Sequence, residues 1–138
     1  MTVLALPSAL REQIEGEARA AFPRECCGLI EGARTGDRIE ALVLHPAPNL
    51  SKDTGRFEID PAAQFAALRT ARANGREIVG CYHSHPNGTA EPSARDLAGA
   101  GEEGFLWLIA PLASAERPVQ LAAFAFAASR FVPVMIAV

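Results

Sequence analysis

Gly80-Cys81-Tyr82-His83-Ser84-His85-Pro86-Asn87-Gly88-Thr89-Ala90-Glu91-Pro92-Ser93-Ala94-Arg95-Asp96 is the stretch on which the fold and the chemistry of this chain turn. The apolar residues around its start, Ile78, Val79, Cys81 and Tyr82, read as a strand, and side chains two apart on a strand leave from one face. His83 and His85 therefore point at one object. Pro86-Asn87-Gly88 reads as a turn, and Glu91-Pro92-Ser93 as a helix start with Ser93 near the N-cap. Asp96, three residues on, then shares a side of the first helical turn with Ser93. Strand, loop and helix start gather two imidazoles, a carboxylate and a hydroxyl.

A His-x-His pair on a strand is by itself most often two ordinary polar residues. With Asp96 added, the set matches what catalytic zinc takes: three nitrogen and oxygen ligands and a fourth position left for water. One carboxylate against a dication leaves net positive charge to acidify that water.

His83-Ser84-His85, seven intervening residues, Ser93, two more and then Asp96 resemble the motif of the JAMM metalloproteases, the catalytic branch of the MPN-domain family. Upstream, Glu25-Cys26-Cys27-Gly28-Leu29 is similar to that family's Glu-x-Cys-Gly-Leu signature, and Phe57-Glu58-Ile59-Asp60-Pro61 is a further similarity. The resemblance spans nearly the whole chain. It implies one zinc ion per chain held by His83, His85 and Asp96, with Glu25 beside the bound water as general base and then general acid. Ser93 has two readings, a donor to the oxyanion of the tetrahedral intermediate or simply the helix cap. Ser84, on the other face of the strand, reads as structural.

Outside that set the residues read plainly. The chain has 138 residues, the size of one domain, about half of it apolar. A net charge of −3 with no Lys/Arg run argues against nucleic acid as a partner. Cys26, Cys27 and Cys81 sit in apolar segments and read as small buried residues, since histidines that hold a metal are not free to activate a thiol. Residues 1–10 lack the marks of a signal peptide, and Arg130 interrupts the apolar end of the chain, so neither a leader nor a membrane span is expected and the cytoplasm is the expected compartment.

Upstream of the central stretch, Pro7-Ser8 opens an amphipathic helix with Leu10, Ile14, Ala18 and Ala21 inward, stopped by Phe22-Pro23. Cys26–Gly32 and Arg38–Leu44 read as strands around a turn at Thr35-Gly36-Asp37, with His45 in a proline-rich loop after them. Leu50–Arg56 reads as a loop near the site and Phe57–Ile59 as strand-like. Asp60-Pro61 caps a second helix with Phe65, Leu68 and Ala71 inward, ended by Gly75. Downstream, Phe105–Ala110, Pro118–Ala128 and Phe131–Val138 read as strands.

The expected fold is a single α/β domain over residues 1–138, a mixed sheet flanked by helices with an edge that an extended substrate can join. The resemblance implies the MPN/JAMM fold, similar to cytidine deaminases. It also implies hydrolysis of peptide or isopeptide bonds after the C-terminal Gly-Gly of a ubiquitin-like or sulfur-carrier protein. The short spacing after Asp96 leaves no room for the insertions with which eukaryotic members grip ubiquitin chains. A homodimer is an open option. A non-catalytic MPN scaffold and a RadC-like protein are the alternatives; the first typically lacks a ligand, and the second shares His83 to Gly88 but not the upstream signature. A zinc nucleobase deaminase needs a His-x-Glu and a Pro-Cys-x-x-Cys that the chain lacks.

Overall fold

The computed structural model describes residues 2–114 and 119–138. Its elements run β1 (Val3–Ala5), α1 (Ser8–Ala21), β2 (Cys27–Thr35), β3 (Arg38–Ala47), α2 (Pro61–Ala73), β4 (Glu77–His85), α3 (Ala94–Gly99), β5 (Leu106–Pro111), β6 (Ala122–Ala127) and β7 (Arg130–Ala137). The strands form one mixed sheet in the order β1-β3-β2-β4-β5-β6-β7, closed because β1 pairs in parallel with both β3 and β7. Closure rests on three residues of β1, so the parts of β3 beyond Glu40 and of β7 before Met135 have no β1 partner. The edge expected for an extended substrate is reduced to those stretches.

One core lies on the α1 side, where Ile14 and Ala18 meet Leu4, Leu6, Ile30, Tyr82 and Leu108. The other face carries a smaller cluster in which Ala67 and Ala71 of α2 meet Leu29, Ile78, Cys81, Trp107 and Phe126. This register differs from the expected one: Ala71 is inward, but Phe65 is 63% and Leu68 43% exposed. α2 meets the sheet through alanines, and the large apolar side chains lie on its outer side.

A bulge decides which face the histidines take. Ile30 pairs with Gly80 and Glu31 with Ile78, so Val79 is an extra residue on β4. The bulge resets the alternation. Ile78 and Cys81 face the α2 cluster, while Val79 and Tyr82 face the α1 core. His83 and His85 then follow Cys81 onto the α2 side.

Three expectations are corrected. His45 lies inside β3, paired with Leu29, because the strand continues through Pro46 to Ala47. Its Nε2 is 2.8 Å from Oε1 of Glu31, a fully buried carboxylate that also accepts from Asn74 and Arg76. Phe57–Ile59 is not a strand, since only Ile59 bridges, to Asn49. The last turn falls at Ala128-Ser129, both in the left-handed region, with Arg130 already in β7. The expected run from Pro118 begins in residues outside those described; its described part supplies β6 from Ala122. Among the described residues no helix is long and apolar enough to cross a membrane.

Candidate metal centre

The site forms at the carboxyl end of β4, which runs parallel to β5 and is joined to it through α3, the place where open space is available in such crossovers. His83 and His85 come from the end of the strand and Asp96 from the first turn of α3. Their donor atoms make a near-equilateral triangle. Nε2 of His83 is 3.0 Å from Nε2 of His85 and 3.2 Å from Oδ2 of Asp96, and Nε2 of His85 is 3.1 Å from the same oxygen.

His85 and Asp96 are aimed by hydrogen bonds, whereas His83, whose buried Nδ1 has no hydrogen-bond partner among the described residues, is held by packing. Nδ1 of His85 lies 3.1 Å from the Thr89 carbonyl, to which it donates; a neutral ring then presents a lone pair at Nε2. His83 is fully buried, with Phe57 stacked on one face at 4.4 Å and Trp107 edge-on at 5.9 Å. Asp96 belongs to a capping box: its amide donates to Ser93 Oγ at 3.0 Å, and the Ser93 amide donates back to Oδ2 at 2.8 Å. Capping uses a lone pair of the Ser93 hydroxyl and leaves its proton available. The two readings of Ser93 are therefore compatible.

Two facing imidazole nitrogens and a carboxylate oxygen this close repel unless positive charge lies among them. Donors about 2.1 Å from one tetrahedral ion stand about 3.4 Å apart, a few tenths of an ångström wider than the spacing here. The donor set thus fits a divalent cation of the zinc type. Among protein groups alone, burial drives the His83 pKa down. Burial also opposes charge on His85 and Asp96; the hydrogen bond to Asp96 outweighs it on His85 and raises the imidazole, and hydrogen bonds from His83 and His85 together outweigh it on Asp96 and hold the carboxyl well below the usual range.

Glu25 arrives from the segment just before β2. Glu25, His83 and His85 each bring a ligand atom within 4.8 Å of the others, and all three residues are buried. Burial is the main cause that pushes the Glu25 pKa up to about 7, with Asp96 adding to the rise and His85 opposing it. Its Oε1 is buried with no hydrogen-bond partner among the described residues. Ser84 fixes the neighbouring backbone: its Oγ accepts from the Cys26 amide at 2.8 Å, and its amide donates to the Cys26 carbonyl at 3.1 Å. The structural reading of Ser84 holds.

All five residues singled out in the sequence meet here. What the sequence did not disclose is the wall around them, Phe57 and Trp107 on His83. The three cysteines are buried and free, and burial pushes the thiols of Cys26 and Cys27 up to about 11 and about 12, the opposite of an activated nucleophile.

Residues 7–125 match the family described as prokaryotic homologs of the JAB domain. The chain belongs to that family. This JAB-family chain is 32% identical over 111 residues to a desampylase of Haloferax volcanii, a match covering 77% of the chain and 78% of the relative. It is 34% identical over 96 residues to a probable TtuB-protein conjugate cleaving protease of Thermus thermophilus, covering 69% of the chain and 62% of that protein. The solution structure of a Desulfitobacterium hafniense protein, 32% identical, superposes with a TM-score of 0.85 over 99% of the chain and 91% of the other. The expected fold class, a mixed sheet flanked by helices of the JAB1/MPN kind, is the one found.

Proposed function

We propose that this JAB-family chain is a zinc-dependent isopeptidase that hydrolyses the amide bond after the C-terminal Gly-Gly of a ubiquitin-like or sulfur-carrier protein. The observation that carries the reading is the triangle of donor atoms with an unpartnered buried carboxylate oxygen beside it. The names of the two relatives, a desampylase and a protease that cleaves TtuB-protein conjugates, support the substrate class.

In this reading His83, His85 and Asp96 hold the zinc, one ion per chain. Zinc bound there supplies a Lewis acid and a water of lowered pKa. Glu25 takes a proton from the attacking water and delivers it to the leaving amine as the carbon–nitrogen bond breaks. The Ser93 hydroxyl, its lone pair engaged by the Asp96 amide, donates its proton to the developing oxyanion.

Two separate cavities are each lined in part by residues of the site. One, of about 350 Å³, is lined by Glu25, His85 and Ser93 together with Thr54, Gly55 and Asn87. The other, of about 490 Å³, adjoins Asp96 and is walled by Phe57, Phe105 and Trp107, with Arg56 and Arg95 also lining it. In the proposal they receive the two sides of the scissile bond. Incubating the protein with sulfur-carrier proteins extended beyond Gly-Gly, with and without chelator, tests it by mass spectrometry. Cleavage after Gly-Gly that stops with chelator is expected; cleavage that survives metal removal contradicts it.

A further inference from the structure

The side chain of Asn49 makes four hydrogen bonds and joins two segments that meet at the metal centre. Its Oδ1 accepts from the amides of Ser51 at 2.9 Å and Glu58 at 3.0 Å, closing the loop between them. Its Nδ2 donates to the Glu25 carbonyl at 3.0 Å, outside the loop, and to the Arg56 carbonyl at 3.2 Å, within it. The loop is also held at its far side, where Arg95 Nη1 lies 2.9 Å from Asp53 Oδ2. Arg24, next to Glu25, reaches the carbonyls of Asn49 and Ser51. Phe57, one residue after Arg56, is the ring stacked on His83.

We propose that Asn49 is a positioning residue: its amide sets the carboxylate-bearing segment at Glu25 in register with the loop that carries Phe57 against His83. The two halves of the amide have separable jobs. The acceptor closes the loop, as an Asx turn does. One donor bond, to Arg56, braces the closed loop, and the other ties it to the Glu25 backbone. Glu25 precedes β2, and its oxygen has no partner of its own, so backbone contacts of this kind, with those of Ser84, hold it near the histidines. A displacement of about 1 Å at such a group costs on the order of 100-fold in turnover.

Asn49→Asp separates the jobs because it is isosteric. It keeps both acceptor bonds, loses both donor bonds and sets a carboxylate oxygen against two carbonyls. In full-length protein the amides of Ser51 and Glu58 stay protected in Asn49→Asp, while the Cys26 amide exchanges with deuterium at least tenfold faster by NMR. On a sulfur-carrier protein bearing a C-terminal aminocoumarin amide after Gly-Gly, kcat falls at least tenfold, KM moves less than threefold and zinc per chain is unchanged. If Asn49 only shaped its own loop, Asn49→Asp would match wild type in exchange at Cys26 and in kcat, and the proposal would be overturned. Asn49→Ala, which loses all four bonds, adds faster exchange at Ser51 and Glu58; if it leaves them protected, the assignment of the acceptor half is wrong. The turnover arm rests on the proposed isopeptidase activity and the exchange arm does not. A wild-type protein inert toward the probe, with Cys26 exchange raised in Asn49→Asp, removes the activity and leaves Asn49 in its role.

Discussion

At the scale of single residues, Glu25 is the group on which the chemistry depends, and its burial is legible only in three dimensions. Replacing its carboxylate with an amide of the same shape removes the proton carrier and leaves the three-donor set alone. Glu25→Gln is expected to lower kcat by about 10²- to 10⁴-fold with zinc content unchanged, read by turnover and metal analysis. The same residue gives a pH signature. Burial raises its pKa from 4.5 to about 7, so the folded state binds a proton that the unfolded chain releases. In chelator-treated protein that contribution is favourable in acid and is lost as pH rises from about 4.5 to about 7. Subtracting the stability curve of Glu25→Gln from that of wild type isolates it; a difference that grows with pH across that window contradicts the assignment. His83, His85, Ser93 and Asp96 were readable because their spacings follow from the period of a strand and the first turn of a helix. Glu25 was readable only through a family signature. The contact of Phe57 with His83 and the roles of Asn49 and Glu31 were not readable, since their partners lie on segments far away in sequence.

At the scale of elements, Gly28 shows how β2 and β4 are fitted to each other. A Cβ at Gly28 would lie only 2.4 Å from Cζ and the hydroxyl oxygen of Tyr82, whose hydroxyl donates to Glu17 of α1 at 2.7 Å. Gly28→Ala is expected to cost about 2–3 kcal/mol in denaturant titration, because the buried Tyr82 has nowhere to move. The β6–β7 hairpin makes the opposite prediction. Ala128 and Ser129 hold φ of 52° and 65°, a region that side-chain-bearing residues occupy at a cost. Ser129→Gly should therefore raise stability by about 1 kcal/mol, seen as a higher Tm. α2 shows why one expected face was misassigned. Phe65 and Leu68 carry most of the helix's apolar area and drew the inward face toward themselves, whereas close approach to the sheet selects the small side chains Ala67 and Ala71. The bulge at Val79 left no trace in a run of apolar residues, although it sets the face from which the histidines leave.

At the scale of the whole molecule, the order from α1 to β7 was legible from punctuation by Pro, Gly and capping residues, apart from Phe57–Ile59, which reads as strand-like and forms only a bridge. The closure of the sheet was not. It depends on a three-residue strand whose two parallel partners, β3 and β7, lie far apart in the chain. Leu4, at the centre of that strand, is fully buried, and Leu4→Ala is expected to cost about 3 kcal/mol while unfolding remains a single transition. Two separate transitions would contradict the proposal that residues 1–138 act as one domain. Zinc per chain, measured in wild type, Glu25→Gln and Asp96→Ala purified side by side, decides whether His83, His85 and Asp96 hold the ion. About one, about one and near zero are expected; a wild type that holds no zinc, or an Asp96→Ala that keeps it, would contradict that assignment.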